Sequence, residues 1–76
     1  MRAANMKVKD LYKFINTGIK IHLVVYDMEY YPDFIGKFSE LNRYRLFNDI
    51  YYAVVEWMFF SPDEPDVLYI YVSLKE

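Results

Sequence analysis

The chain has 76 residues, a net charge of −2, a pI near 5.3 and no cysteine, which excludes disulfide staples, thiolate metal sites and cysteine nucleophiles. That length fits one domain, residues 1–76, and the longest strongly apolar run, residues 51–60, is interrupted by Glu56 and falls far short of the ~20 residues that span a bilayer. The opening residues carry charge with no apolar stretch behind them, unlike a secretion signal; the expectation is a soluble cytoplasmic protein, with Met6 an alternative start and residues 1–6 a frayed leader.

The first predicted element is a helix. Val8, Leu11, Tyr12 and Ile15 recur at i, i+3, i+4 and i+7 and share one face, while Phe14 falls on its flank. Gly18, two residues after Asn16, suits a left-handed stop. Residues 19–26 then alternate as a strand: Ile19, Ile21, Leu23 and Val25 point one way, Lys20, His22, Val24 and Tyr26 the other. A polar loop with three acids and Pro32 ends it. Residues 34–38 read as a short strand whose Gly36 marks a bulge or a close backbone approach.

Ser39 is placed to cap a short helix carrying Leu41, Tyr44, Leu46 and Phe47, closed by Asn48 and Asp49. Residues 50–60 read as a third strand, with Tyr51, Ala53, Val55, Trp57 and Phe59 on one face and Ile50, Tyr52, Val54, Glu56, Met58 and Phe60 on the other. Residues 61–66 form a turn by composition. In a last strand, residues 67–74, Leu68, Ile70, Val72 and Leu74 alternate with Val67, Tyr69, Tyr71 and Ser73. The prediction is an α+β domain: a small antiparallel sheet or partial barrel of about four strands, an N-terminal helix, and a short helix between two hairpins.

Sixteen residues are aromatic (nine Tyr, six Phe, one Trp) and 55% are hydrophobic, above the roughly 45–50% usual for soluble domains. A domain near this size hides only about 60% of the surface its unfolded chain exposes, so some aromatic surface is left for a partner, a ligand or another copy. Both faces of the third strand are apolar, whereas a strand with one face in water alternates apolar with polar.

Catalytic equipment is sparse. His22 is the sole histidine, and a histidine acts as a base only beside a nucleophile or an acid. Thr17, Ser39, Ser61 and Ser73 lie in no nucleophile motif, and two glycines leave no phosphate-cradling loop. The acids of residues 27–29 and 63–66 lack the spacing of a calcium loop. The expectation is a non-enzyme without cofactor or metal.

Charge is uneven: residues 1–38 sum to +2 and residues 39–76 to −4. Arg43-Tyr44-Arg45 sets bases beside an aromatic, as stacking nucleic-acid grooves do. The acidic pI and the acids around the second hairpin argue against phosphate binding. The candidate surface is instead a protein-binding patch, because Tyr, Trp and Phe concentrate in interface cores. It comprises Tyr30, Tyr31, Phe34, Trp57, Tyr69 and Tyr71, with Asp63, Glu64 and Asp66 to orient a basic partner. Two alternatives are a homodimer seam on the aromatic face and a nucleotide pocket lined by aromatics with Arg43 or Arg45.

The layout resembles short uncharacterised proteins of phages and mobile elements of Gram-positive bacteria. The residues that carry the resemblance are Val8-Lys9-Asp10-Leu11, Val25-Tyr26-Asp27, Gly36-Lys37 and Leu68-Tyr69-Ile70-Tyr71-Val72; the aromatic stretch at residues 51–60 departs from it. The resemblance implies a setting in which small acidic proteins block host defence enzymes by binding them, as anti-CRISPR proteins do.

Overall fold

A computed structural model of the chain describes residues 6–74. The element order is α1 (Val8–Leu11), β1 (Lys20–Val25), β2 (Phe34–Lys37), a 3₁₀ helix (Phe38–Arg43), α2 (Phe47–Ile50), β3 (Val54–Ser61) and β4 (Glu64–Ser73). The four strands form one sheet in the order β2-β1-β4-β3. Both predicted hairpins are present as antiparallel pairs, β1 with β2 and β3 with β4.

The hairpins meet through a parallel β1–β4 pair, Lys20 beside Val67 through Val25 beside Val72. The sheet is therefore mixed and open, where the sequence suggested an antiparallel sheet or a partly closed barrel. The cause lies in residues 38–53. A stretch of more than about a dozen residues can carry the chain across a sheet, and this one sets β3 on the far edge, parallel to β2. β4 then returns between β3 and β1, parallel to β1.

All helical segments pack on one side of the sheet. Val8 and Leu11 of α1, Phe38 and Leu41 of the 3₁₀ helix and Ile50 of α2 are fully buried, and they meet Ile21, Leu23 and Val25 of β1 and Leu68, Ile70 and Val72 of β4 in one cluster. The alternation predicted for β1 is the alternation observed; in β4 it holds over residues 68–72, while Val67 and Ser73, expected on the other face, are buried as well.

The helices are shorter than predicted. α1 is one turn long, and Lys13 N–H bonds Asp10 O and Phe14 N–H bonds Leu11 O in tighter three-residue steps. Its apolar stripe still works: Tyr12 stacks on Phe38 at 4.4 Å and Ile15 packs on the core margin. Gly18 lies outside the left-handed region; its N–H donates to Asn16 Oδ1 at 2.8 Å, and that side-chain bond makes the turn. Ser39 lies inside the 3₁₀ helix, not at its cap. Gly36 marks neither the expected bulge nor a backbone approach: the β1–β2 register is regular, and what a Cβ there would meet, at 3.2 Å, is the Phe34 ring. Met6 accepts from Val55 N–H at 2.8 Å and packs on the core margin; the rest of the expected leader, residues 1–5, lies outside the described residues.

Candidate functional site

The side of the sheet opposite the helices carries a cross-strand row of side chains. Ile35 of β2 pairs with His22 of β1, His22 with Tyr69 of β4, and Tyr69 with Phe59 of β3. One step along the strands, Val24, Tyr71 and Trp57 form a second row. Paired residues in adjacent strands point to the same face, so the register places all seven together.

The rings are stacked. His22 lies on Tyr69 with centroids 4.9 Å apart, Phe59 lies on Tyr69 at 5.4 Å and on Tyr71 at 5.8 Å, and Trp57 meets Tyr71 edge-on at 6.4 Å. Tyr26, just past β1, closes the array against Trp57 at 5.3 Å. Offset and edge-on pairs at these separations are each worth about 0.5–1.5 kcal/mol beyond area burial. The array therefore holds itself in shape without a covering layer. Trp57 is 56% exposed, Phe59 44% and Ile35 60%, values that belong to a surface. Tyr26, Trp57, Phe59 and Tyr71 enclose a shallow groove of about 280 Å³.

Trp57 reaches this face through a bulge. Val55 pairs with Val72 and Trp57 with Tyr71, so β3 carries one extra residue, Glu56, against β4. In a regular strand Val55 and Trp57 would point the same way, as the sequence reading had them; the bulge turns Val55 into the core at 2% exposure and leaves Trp57 outside. Residues 50–52 also differ from expectation. Ile50 ends α2 and Tyr51 and Tyr52 form the turn after it, so Tyr51 belongs with the helical layer against Phe47 and Tyr12.

Of the partner-binding residues expected from sequence, the fold gathers Trp57, Tyr69 and Tyr71 on the open face. The Tyr69 hydroxyl donates to Glu64; that bond, followed by burial, raises the phenol's pKa above its ordinary value. Asp63 and Asp66 are exposed at the same end. Tyr30 is 88% exposed in the loop after β1. Tyr31 and Phe34 turn elsewhere: Tyr31 packs on the core margin and donates to Asp49 at 2.9 Å, and Phe34 meets the buried Tyr44 edge-on at 6.2 Å.

His22, Tyr26, Ile35 and Phe59 complete the face, and the sequence reading did not count them among the partner-binding residues. Alternation put His22 and Tyr26 on the non-core side of β1, but only the register shows what they meet. His22 Nε2 also lies 2.8 Å from Asp33 Oδ2, joining β1 to the loop before β2. Lys20 and Lys37 pair across β1 and β2 at the end of the face where β4 carries Val67. The sheet thus has bases towards β2 and the acids Asp63, Glu64 and Asp66 towards β3.

A second groove, of about 320 Å³, is lined by Tyr12, Ser39, Asn42, Phe47 and Tyr51. Arg43 belongs to the 3₁₀ helix and reaches Glu40 at 3.5 Å, in the layer away from the aromatic face. Among the described residues no group of three or more His, Asp or Glu side chains is placed to hold a metal ion, and no helix is long and apolar enough to cross a membrane. No known protein family, curated protein or solved structure matches this chain.

Proposed function

We propose that the chain is a non-catalytic protein-binding module whose partner seats on the open aromatic face of the sheet. One observation carries this reading. The row Ile35, His22, Tyr69 and Phe59, with Trp57 and Tyr71 beside it, spans all four strands and is packed within itself but, among the described residues, uncovered. Rigid Tyr and Trp side chains that are ordered before contact lose little conformational entropy on binding, and they are the side chains that dominate interface energetics. Acids on the β3 side and lysines on the β2 side form a charged rim around an apolar centre, which favours a partner with basic residues flanking its own apolar patch.

The resemblance to phage and mobile-element proteins suggests a bacterial cytoplasmic setting. Within it, the proposed partner is a host defence protein, inhibited by occlusion of its surface. The nucleotide reading has less support, because the groove at Trp57 offers only tyrosine hydroxyls and the indole N–H as polar groups and Arg43 stands in the other layer.

The test uses the wild-type chain, Trp57→Ala and Tyr71→Ala as baits in a bacterial lysate. Both variants should retain cooperative melting and lose the protein that the wild type captures. Capture of the same protein by both variants at wild-type yield overturns the reading.

A further inference from the structure

We propose that the groove lined by Tyr12, Ser39, Asn42, Phe47 and Tyr51, on the helical side of the sheet, binds the base of an adenine nucleoside. The site lies across the sheet from the aromatic face, and the proposal does not rest on the protein-binding reading of that face.

Three segments build the groove. In the 3₁₀ helix, Phe38 and Leu41 turn inward and are fully buried, which leaves Ser39 and Asn42 exposed. These two are three residues apart, the spacing at which side chains eclipse along a 3₁₀ helix, so they stand roughly 6 Å from each other along its axis. Tyr12, on the turn after α1, stacks on Phe38 at 4.4 Å. Tyr51, on the turn after α2, is held on two sides. Its carbonyl accepts from Lys9 N–H at 2.9 Å, and its ring meets Phe47 at 5.4 Å and Tyr12 at 6.2 Å. The walls are therefore fixed by the fold before any ligand arrives. The volume, about 320 Å³, falls at the lower end of the ~300–1,000 Å³ usual for small-molecule sites.

The lining specifies the ligand by its chemistry. Phe47 and Tyr12 are tilted by 52° and 49° to Tyr51, so the three rings form a concave wall, not a slot, on which one flat base can stack. Four groups at this wall can hydrogen-bond: the Asn42 amide and the hydroxyls of Ser39, Tyr12 and Tyr51. Among the described residues none of the four has a hydrogen-bond partner. Burial, and then the neighbouring Tyr51, raise the Tyr12 phenol above its ordinary value, as expected where two phenols share a partly dry groove.

An amide carries a donor and an acceptor side by side. Adenine presents the matching pair on one edge, the N6 amino group and the N7 acceptor, where guanine presents two acceptors. The hydroxyls, each able to donate or accept, are left for the remaining ring nitrogens. No charged side chain lines the groove. Beside it, Arg43 reaches Glu40 at 3.5 Å and Lys9 holds its ammonium 5.3 Å from the centre of the Tyr52 ring, which leaves Lys13, next to Tyr12, as a single neighbouring base. Recognition therefore runs through the base and not through a phosphate.

The experiment is a ¹H–¹⁵N NMR titration of the full chain with adenosine. The Asn42 side-chain amide and the backbone amides of residues 12, 39, 42 and 51 should shift together, while the Trp57 indole N–H on the opposite side of the sheet stays in place. Asn42→Ala, on an exposed position, should bind adenosine about tenfold or more weakly, because a bidentate pair is lost. A ligand-side test needs no variant: 7-deazaadenosine, which lacks the N7 acceptor, should bind the wild type more weakly than adenosine does, and Asn42→Ala should not tell the two apart. Inorganic phosphate should not displace adenosine. Any of four results overturns the proposal: groove resonances that adenosine leaves unmoved up to its solubility limit; 7-deazaadenosine binding the wild type as tightly as adenosine; displacement by inorganic phosphate; or shifts centred on Trp57. Capture of a protein by the open face is tested with Trp57→Ala and Tyr71→Ala, so the two readings fail independently.

Discussion

The Phe59 ring lies on the Tyr69 ring with planes 6° apart and centroids 5.4 Å apart. The contact joins the edge strand β3 to the central strand β4 on the side of the sheet that, among the described residues, no helix covers. Its neighbours on both sides, His22 and Tyr71, extend the stack. The ordinary reason to bury aromatic rings, filling a core, does not apply here, because the core on the other side is already filled by aliphatic side chains with Phe38 and Tyr44.

The first prediction separates the two sides of the sheet. Ile70→Ala, on the core face and fully buried, should cost about 2–5 kcal/mol in denaturant unfolding. Trp57→Ala, one strand away and more than half exposed, removes ring contacts with Tyr26 and Tyr71, each worth about 0.5–1.5 kcal/mol, and should cost less than Ile70→Ala. Equal losses for the two variants would mean that Trp57 is core and that the open face is covered.

A second prediction concerns Glu56, the extra residue of the bulge. Glu56 stands in excess between Val55, paired with Val72, and Trp57, paired with Tyr71; without it the two become consecutive residues, which in a regular strand point to opposite faces, as they already do. Deleting Glu56 should therefore straighten β3, leave Val55 in the core and Trp57 on the open face, and keep thermal unfolding cooperative. A deletion that loses cooperative unfolding would show that the bulge is needed for the packing of β3.

That residue also marks how far the sequence could be read. Alternation in β1 and β4 was legible because Ile21, Leu23, Val25, Leu68, Ile70 and Val72 are aliphatic at every second position and their neighbours are not. In residues 50–60 every position but Glu56 is apolar, so hydrophobicity carried no phase and a one-residue bulge left no trace. Tyr51 and Trp57 were accordingly grouped on one face, although one lies in the helical layer and the other on the open sheet. The parallel pairing of β1 with β4 was illegible for another reason, since it depends on where residues 38–53 cross the sheet and not on the pattern of either strand. The rows of the candidate site inherit that uncertainty. Trp57, Tyr69 and Tyr71 could be named from their type, but His22, Tyr26 and Ile35 join them only through the register.

The tyrosines bonded to carboxylates make a third prediction, at alkaline pH. Tyr31 donates to Asp49 at 2.9 Å, a bond that exists only while the phenol is protonated; with burial and the Asp49 charge, it raises the folded pKa above the ordinary value of about 10. Tyr69 is raised in the same direction by its bond to Glu64. A raised folded pKa means that the folded state holds the proton more tightly. The stabilising contribution is therefore complete below pH about 10 and is lost as pH rises through the raised folded values. In Asp49→Asn the Tyr31 phenol should titrate closer to its ordinary value, measured by phenolate absorbance. A titration curve unchanged by that substitution would mean that the Tyr31–Asp49 bond is not formed in solution.

The last prediction follows from Asp27, which ties the end of β4 to the end of β1. One carboxylate oxygen accepts from the Ser73 hydroxyl at 2.8 Å and the other from Leu74 N–H at 3.1 Å. The partners lie 46 and 47 positions apart in sequence, so the contact closes a long loop. Ser73 is almost fully buried, and a buried donor that loses a charged acceptor costs about 1–3 kcal/mol. Asp27→Ala should destabilise by that amount, and it should also speed amide exchange at Leu74 more than at Ile70, whose strand neighbours remain. Asp27→Asn keeps one carbonyl acceptor and should recover part of the loss. If Asp27→Ala instead matches the wild type in both stability and Leu74 exchange, the clamp contributes nothing to holding the end of β4.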